Sequence, residues 1–421
     1  MIQSMVSIAQ PTPAPKQATP ILISGGIIHI GNGEVLQNSL IAINNGKIEL
    51  VAGQQIGRGF PGYKVIDATG KHIYPAFIAP NTQLGLTEIE AVRATNDHSE
   101  IGGLNPDARA IVAYNTDSEV PPTVRSNGVL IAQIVPDGGL VSGQSSVVQL
   151  DAWNWEDATY RLDDGVHLNW PSPYVTSGWW AEPGETSKNE VYNKQVKDIE
   201  QLFKEAKAYA NAPKGSIRNL RLDAMKGLFD ASKTLYIHAN SAKEIQEAVQ
   251  FSLKNSIKMV LVEGQDSWML CDLLKKNNIP VILNRVHTLP SRNDEDIDQT
   301  YKTAAQLHEA GVLFCFSTNS GWQQRNLPFQ AGHAVGFGVP YEAAISALTS
   351  STAKILGIAD KTGTLEIGKD ANLFICEGDA LDMRTNKVTN AFIQGREIDL
   401  DNKQKFNYRR FQEKYKQQKS K

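Results

Sequence analysis

The strongest constraint on the fold is a run of alternating strand and helix patterns in the second half of the chain. Apolar strand patterns occur at 235–238, 259–262, 280–283 and 312–316, and a helical stretch follows each of them. Strands separated by helices favour a parallel sheet, because a parallel connection needs a long crossover. The repeats predict a (β/α)8 barrel of the TIM type, an α/β fold whose functional groups lie at the carboxyl ends of its strands.

The clearest helix start in this region follows the strand pattern at 235–238. Ser241 and Glu244 have the spacing of a capping box, in which each side chain bonds to the backbone amide of the other residue. Ile245, Ala248 and Val249 then share one helical face. The pattern predicts a helix that packs its apolar side against the sheet.

Strand patterns also occupy both ends of the chain. Short β runs fill 21–51, and Asn45-Gly46 lies between two of them, which is a strong hairpin signal. Further β runs lie between 373 and 398. These patterns predict a small β-sandwich domain made from 21–73 and 362–402, with the barrel at 74–361.

The first barrel strand is predicted within 74–85, and its end is unusual. Asn81 and Gln83 stand two residues apart, so both side chains point to one side of an extended chain. Two imidazoles in these places would form a good metal clamp, whereas carboxamide oxygens are poor ligands for zinc-like ions. The sequence therefore argues against a tight metal site at this strand end.

Three longer stretches resemble a known family. Residues 65–78 read Val-Ile-Asp-Ala-Thr-Gly-Lys-His-Ile-Tyr-Pro-Ala-Phe-Ile, and 347–358 and 363–374 carry two further motifs. The first is similar to the entry into the barrel in the imidazolonepropionase-like branch of the amidohydrolase superfamily, and the other two resemble its closing elements. The resemblance covers nearly the whole chain, and it implies the same barrel and composite β domain.

The resemblance implies hydrolysis by one or two divalent ions that convert water into hydroxide. Active members hold the ions with a His-x-His pair after the first strand, a Lys or Glu from a middle strand, a His from each of the fifth and sixth strands, and an Asp from the eighth. Here Asn81 and Gln83 stand at the pair, and His238 matches the fifth-strand His. Glu263 replaces the sixth-strand His, and Asn319 replaces the Asp, although an amide cannot take a proton from water. No residue is assigned to the bridging Lys or Glu.

His238 and Glu263 remain as weak candidate metal ligands. Two ligands do not make a tight site, so no zinc or other divalent cofactor is expected unless the chain is an active hydrolase. A lone His at a strand end is either a hydrogen-bonded structural residue or a functional one. The sequence alone is consistent with both interpretations of His238.

Further polar residues follow the strand pattern at 280–283. The candidate ligand-binding residues are Asn81, Gln83, His238, Glu263, Asn284, Arg285, His287 and Asn319. Carboxamides, a guanidinium and an imidazole suit a ligand with a carboxylate or an amide group. The alternative interpretation is that these side chains only satisfy the backbone of the loops.

Two functions are consistent with these residues. The first is a non-catalytic amidohydrolase-like protein that binds a small molecule or partners an active amidohydrolase. The second is an active hydrolase of C–N bonds in amides, cyclic amides or dipeptide-like compounds, with a weak metal site or an unconventional base. His238 and His287 are the candidate catalytic residues for that alternative. Assembly into a homo-oligomer is implied by the resemblance alone.

Composition argues against several other classes of protein. The formal net charge of −3 gives no sign of nucleic-acid binding. No apolar run approaches the roughly 20 residues of a membrane-spanning helix. Cys271, Cys315 and Cys376 are widely spaced and odd in number, so they indicate buried free thiols instead of a disulfide framework.

Three segments fall outside the barrel and sheet patterns. Residues 1–20 are interpreted as an export-signal remnant followed by a Pro-rich linker, or as a disordered tail, and an exported or periplasmic location is preferred. Residues 151–180 hold five of the seven tryptophans, which indicates either an aromatic wall over the barrel mouth or an insertion with its own core. Residues 403–421 carry eight Lys or Arg and one acidic residue, which predicts a surface helix or a segment that contacts a partner or a membrane.

Overall fold

The computed structural model describes residues 12–53, 59–179, 181–213, 217–290, 292 and 294–419. In these ranges the strands are β1 Ile21–His29, β2 Val35–Asn44, β3 Lys47–Gly53, β4 Lys64–Asp67, β5 His72–Pro75, β6 Phe77–Thr82, β7 Val129–Ile134, β8 Val141–Gln149, β9 Thr159–Asn169, β10 Tyr174–Trp179, β11 Glu182–Lys188, β12 Thr234–Ala239, β13 Met259–Glu263, β14 Val281–Leu283, β15 Phe314–Phe316, β16 Leu373–Cys376, β17 Val388–Ile393 and β18 Arg396–Glu397.

The helices in the same ranges are α1 Val120–Arg125, α2 Trp155–Ala158, α3 Tyr192–Ala210, α4 Leu220–Ala224, α5 Ala242–Asn255, α6 Cys271–Lys276, α7 Gln299–Glu309, α8 Leu327–Val335, α9 Tyr341–Leu348, α10 Ser350–Ile355 and α11 Lys403–Lys419. Short 3-10 turns lie at Arg93–Thr95, Ala110–Ala113, Lys226–Leu228, Ser267–Leu270 and Trp322–Asn326.

Eight strands form a nearly closed barrel in the order β6-β7-β8-β9-β12-β13-β14-β15. Strands β9, β12, β13, β14 and β15 are parallel neighbours, and β6 is parallel to β7. Strand β8 is antiparallel to both of its neighbours, β7 and β9. The predicted barrel is confirmed, with one reversed strand that the sequence patterns do not indicate.

Side chains bridge the seam between the first and last barrel strands. The Ser317 hydroxyl donates to the carbonyls of Pro80 and Asn81 at 3.0 and 3.3 Å. The Thr82 hydroxyl donates to the Ser320 carbonyl at 2.8 Å. These bonds hold the ends of β6 and β15 at the same rim of the barrel.

The capping box that begins α5 is confirmed. The Ser241 hydroxyl accepts from the Glu244 backbone amide, and the Glu244 carboxylate accepts from the Ser241 amide at 3.1 Å. Ile245, Ala248 and Val249 are all fully buried. The apolar face of α5 therefore packs as the sequence predicts, and it fixes the direction of the chain after β12.

Strands from both ends of the chain form the second sheet, in the order β18-β17-β16-β5-β1-β2-β3, with β4 beside β1. The hairpin between β2 and β3 is confirmed. Asn45 and Gly46 have φ values of 50° and 78°, as a tight two-residue hairpin turn requires. A sheet-rich domain made from both termini thus accompanies the barrel.

A buried charge network joins the terminal sheet to the barrel. The guanidinium groups of Arg125 and Arg396 lie 2.6 and 2.7 Å from the two carboxylate oxygens of Asp151. The Ala14 backbone amide also donates to Asp151, at 2.9 Å. The Asp151 side chain is only 3% exposed. One carboxylate therefore holds together the N-terminal segment, α1, the end of β8 and β18.

The N-terminal segment is only partly described. Residues 1–11, which include the predicted export-signal remnant, lie outside the described ranges. Beyond Ala14, the Gln17 side chain accepts from the Gly46 amide at 2.8 Å and donates to the Ile43 carbonyl at 3.0 Å. The described part of the predicted linker is therefore anchored to the terminal sheet by hydrogen bonds.

Part of the segment 151–180 is a barrel strand, because β9 pairs with both β8 and β12. The interpretation of the whole segment as an insertion is therefore wrong for these residues. Trp170 is buried against Phe251, whereas Trp153 and Trp179 are 66% and 56% exposed. Trp180 lies outside the described ranges. The described tryptophans are thus divided between the core and the surface.

The remaining predictions concern cysteines, membranes and the basic segment. Cys315 and Cys376 are buried free thiols, as predicted, whereas Cys271 is half-buried. Among the described helices, none has the length and apolar character needed to cross a bilayer. The predicted surface helix within 403–421 is present as α11.

We expect Asp151→Ala to lower the free energy of unfolding by about 3–5 kcal/mol, because two buried guanidinium groups lose their shared counter-charge. Urea denaturation measures this change. Asp198→Ala is the matched control, since it removes only an exposed pair with Lys194 and should cost less than about 1 kcal/mol. Equal losses in the two variants would show that the Asp151 network does not fasten the domains.

Candidate functional site

A cavity of about 550 Å³ opens at the carboxyl ends of β12, β13, β14 and β15. Four of the predicted site residues line it. Glu263 ends β13, Asn284 and Arg285 follow β14, and Asn319 follows β15. Parallel strands of a barrel present their carboxyl ends at one rim, so residues distant in sequence meet there.

The cavity wall is mostly polar. Its amide side chains belong to Asn240, Gln265, Asn284, Asn319 and Gln323, and its hydroxyl groups to Thr288, Thr300, Thr303, Thr318 and Ser320. Glu90 and Glu263 are the acids among the lining residues, and Arg285 is the base. A wall of this kind suits a polar ligand that carries both donors and acceptors.

His238 lies beside the cavity wall, between two protein partners. Its Nδ1 atom is 3.9 Å from the Glu263 carboxylate. Its Nε2 atom is 2.9 Å from Nδ1 of His167, within hydrogen-bond distance. Both ring nitrogens of His238 therefore face side chains of the protein.

His167, on β9, belongs to this group but is not among the sequence-predicted residues. It is fully buried, and its ring stacks on that of Tyr236 with centroids 4.7 Å apart. Burial, together with the neighbouring His238, holds the pKa of His167 well below its usual value. Its Nε2 atom has no hydrogen-bond partner among the described residues. His167 is therefore a neutral imidazole inside the barrel.

Glu263 supplies a negative charge at the cavity. Burial opposes its ionisation, but the contacts with His238 and Asn240 outweigh that effect and lower the pKa of the carboxyl group. The Asn240 amide donates directly to the carboxylate. Glu263 has a φ of 75°, a left-handed conformation that is unfavourable for glutamate and is often associated with functional sites.

Beneath the histidines, one buried carboxyl group ties neighbouring barrel strands together. Asp164 accepts hydrogen bonds from Gln133 at 2.8 Å, and from Ser145 and Tyr236 at 2.7 Å each. Burial raises the pKa of Asp164. The bond to Tyr236 fixes the ring on which His167 stacks, so this network positions the floor of the site.

The predicted pairing of Asn81 with Gln83 does not hold. Asn81 has a φ of 49°, so the chain leaves the extended geometry on which a common side depends. Asn81 is buried, and its backbone amide donates to Gln133 at 3.2 Å. Gln83 follows β6, and its amide donates to Asp137 at 3.2 Å. Neither residue lines the cavity.

His287 also lies outside the cavity wall, although Arg285 lies in it. Its ring meets that of His333 edge-on, with centroids 4.9 Å apart. Burial, with smaller contributions from His333 and Arg285, lowers the pKa of His287. The imidazole is therefore neutral near pH 7, the form in which it can accept a proton.

The donor set does not fit a tightly held divalent ion. Throughout the described ranges, no group of three or more His, Cys, Asp and Glu side chains is arranged to hold a metal. Asn319 offers only a weakly donating amide, and both nitrogens of His238 face protein groups. Protein zinc sites use three or four strong ligands. The described residues at this rim therefore fall short of such a ligand set.

Comparison with known proteins gives consistent matches. The sequence model of the Amidohydrolase family matches residues 184–398. The chain is 23% identical to imidazolonepropionase of Brucella anthropi over 376 residues, which cover 81% of this chain and 87% of that protein.

Solved structures with the same fold include an amidohydrolase from Thermotoga maritima MSB8. It has a TM-score of 0.79 and 22% identity, with 90% of this chain and 99% of that chain covered. A Xaa-Pro dipeptidase with methionine bound in its active site matches with a TM-score of 0.58 and 16% identity, covering 90% of this chain and 100% of that one. At these identities the likeness concerns the fold.

The low pKa of His167 predicts how stability depends on pH. Below its usual pKa of 6.5, the unfolded chain binds a proton at His167 that the folded chain does not bind. The free energy of unfolding should therefore fall with decreasing pH, by up to about 1.4 kcal/mol per pH unit from this group. Urea denaturation between about pH 7 and pH 5 should show a shallower pH dependence in His167→Gln.

His308→Gln is the control for this measurement, because His308 is exposed on α7. It should retain the pH dependence of the unchanged protein. An unaltered pH dependence in His167→Gln would contradict a neutral, buried His167.

Proposed function

Because the chain belongs to the amidohydrolase family, we propose that it is a hydrolase-like protein whose cavity binds a small ligand with a carboxylate or amide group, without metal-assisted hydrolysis. The observation that carries this proposal is the composition of the cavity wall. Glu263 and Arg285 provide opposite charges there, and amides and hydroxyls fill most of the rest. The volume of about 550 Å³ lies in the usual range for small-molecule sites.

Arg285 is the favoured partner of a ligand carboxylate. Its side chain is exposed at the cavity, and no ion pair joins it to a carboxylate in the described part of the chain. A guanidinium group can bind a carboxylate through two parallel hydrogen bonds. An unpaired arginine at the rim of a polar cavity is therefore suited to anchoring an anionic end group.

Glu263 is the favoured partner of an N–H group on the ligand. Its lowered pKa keeps it ionised, and an ionised carboxylate only accepts hydrogen bonds. The carboxamides of Asn284 and Asn319 can both donate and accept, which suits an amide. A ligand with a carboxylate at one end and an amine or amide N–H at the other matches these groups. Methionine, bound by the structurally similar Xaa-Pro dipeptidase, is of this chemical kind.

Loss of ordinary catalysis is part of the proposal. Metal-assisted hydrolysis needs an ion that lowers the pKa of bound water and a base that accepts its proton. The amides of Asn81, Gln83 and Asn319 serve neither purpose well. A non-catalytic role leaves two uses for the cavity: ligand binding by this chain alone, or binding as the companion of an active amidohydrolase.

One observation favours the alternative, an active hydrolase of amide or cyclic-amide bonds. Glu263, His238 and His167 form a line of contacts beside the cavity, and a carboxylate that orients an imidazole is a common arrangement for a general base. His287 is a second neutral imidazole near Arg285. Hydrolysis that persists in a chelator but is lost in His238→Ala or His287→Ala would support this alternative.

The ligand proposal is tested by calorimetric titration with a panel of N-acyl dipeptides and imidazolones. We expect a carboxylate-bearing member to bind, and Arg285→Gln to weaken it by about 10- to 100-fold, because a charge-assisted hydrogen bond is lost. The same compound with its carboxylate amidated should bind the two proteins equally. Arg384→Gln is the matched control, since its exposed guanidinium pairs with Asp382 outside the cavity. Equal affinity in Arg285→Gln and the unchanged protein would contradict the proposed role of Arg285.

The metal proposal is tested by elemental analysis of the purified and dialysed protein. We expect well under one equivalent of zinc, manganese or iron per chain, because two candidate ligands cannot hold these ions tightly. Addition of zinc should not raise the melting temperature at concentrations that saturate ordinary zinc enzymes. Stoichiometric metal that resists dialysis would overturn the metal-free interpretation of the site.

A further inference from the structure

We propose that α11 is a docking surface for an anionic lipid membrane, a role separate from that of the cavity. The helix is held to the rest of the protein near its beginning, where the Thr123 hydroxyl donates to Gln404 at 2.8 Å. Arg409 pairs with Asp401, just before the helix. From 408 to 416 every side chain is exposed. This part of the helix therefore presents its side chains to the solvent.

Three aromatic residues form a stripe along α11. Tyr408, Phe411 and Tyr415 are spaced i, i+3 and i+7, which places them on one helical face. They are 65%, 44% and 58% exposed. Together with Gln412 and Lys416 they line a shallow depression of about 350 Å³. Exposed aromatic rings gathered in this way are a common feature of binding surfaces.

Positive charge surrounds the aromatic stripe. Within 403–419 the sequence has seven Lys or Arg and one acidic residue, Glu413, which gives a formal charge of +6. The whole chain carries −3, so the remaining residues together carry −9. At 100° per residue, Lys414 lies on one side of the stripe and Lys416 on the other. The basic charge is therefore concentrated on the same helix as the exposed aromatic rings.

The two features together favour a lipid surface over other polyanions. Aromatic rings prefer the boundary between headgroups and acyl chains, while flanking lysines bind anionic headgroups. A second copy of this chain could pair its acidic groups with the basic side chains of the helix. Such pairing would give the aromatic stripe no role. A nucleic acid strand also binds basic side chains, but a surface helix with lysines on both sides of a stripe of aromatic rings matches the headgroup boundary of a bilayer more closely.

The test is co-sedimentation of the full chain with vesicles of phosphatidylcholine alone or mixed with phosphatidylglycerol. We expect binding only to the mixed vesicles, and loss of binding in high salt, because screening weakens the attraction between surface charges. The variant Tyr408→Ser/Phe411→Ser/Tyr415→Ser keeps the charge and removes the aromatic stripe. The variant Arg410→Gln/Lys414→Gln/Lys416→Gln keeps the stripe and removes charge. Each should bind at least about tenfold more weakly.

The control Lys194→Gln/Lys254→Gln/Lys387→Gln removes the same charge from exposed positions outside α11, and it should bind as the unchanged protein does. Circular dichroism of each variant checks that it is folded. Failure to bind the mixed vesicles, or unaltered binding by the aromatic variant, would overturn the proposal. A preference for oligonucleotides, or self-association that requires the basic side chains, would also overturn it, in favour of a nucleic acid or of a second copy respectively.

Discussion

The buried carboxyl group of Asp164 is the constraint on which the barrel interior and the candidate site both depend. A carboxyl group without solvent must be satisfied by hydrogen bonds, and its donors come from Gln133 on β7, Ser145 on β8 and Tyr236 on β12. The side-chain oxygen of Gln133 in turn accepts a hydrogen bond from the backbone amide of Asn81 on β6. Five consecutive strands of the sheet are thereby joined, including the reversed strand β8.

A series of side-chain contacts connects this network to the polar groups at the rim of the barrel. Tyr236 supports the His167 ring, His167 contacts His238, and His238 faces Glu263. The family resemblance implies metal ligands at this rim, yet here the imidazoles are directed at each other and at a carboxylate. The contact with His238 helps to lower the pKa of Glu263, while Nε2 of His167 has no partner among the described residues. Both ring nitrogens of His238 thus face protein side chains at this rim.

Much of the fold could be predicted because its signals are local. The capping box at Ser241, the Asn45-Gly46 hairpin and the strand patterns of β12 to β15 each depend on neighbouring residues. The repeat pattern does not indicate strand β9, because it lies in a Trp-rich stretch without helical crossovers on both sides. His167 is therefore absent from the predicted site residues, although Val166 and Leu168 on either side of it show the alternation of a strand.

The sequence by itself determined the barrel, the composite terminal sheet and the carboxamides that stand where metal ligands are implied. Residue identity decides those features, since an amide cannot become a strong ligand or base in any fold. Only the tertiary structure decided which polar residues meet. Asn81 leaves the extended conformation, His287 packs against His333, and Glu263, Asn284, Arg285 and Asn319 share one cavity. Which polar side chains meet depends on backbone turns and on the strand register between distant segments, and no local sequence pattern encodes these.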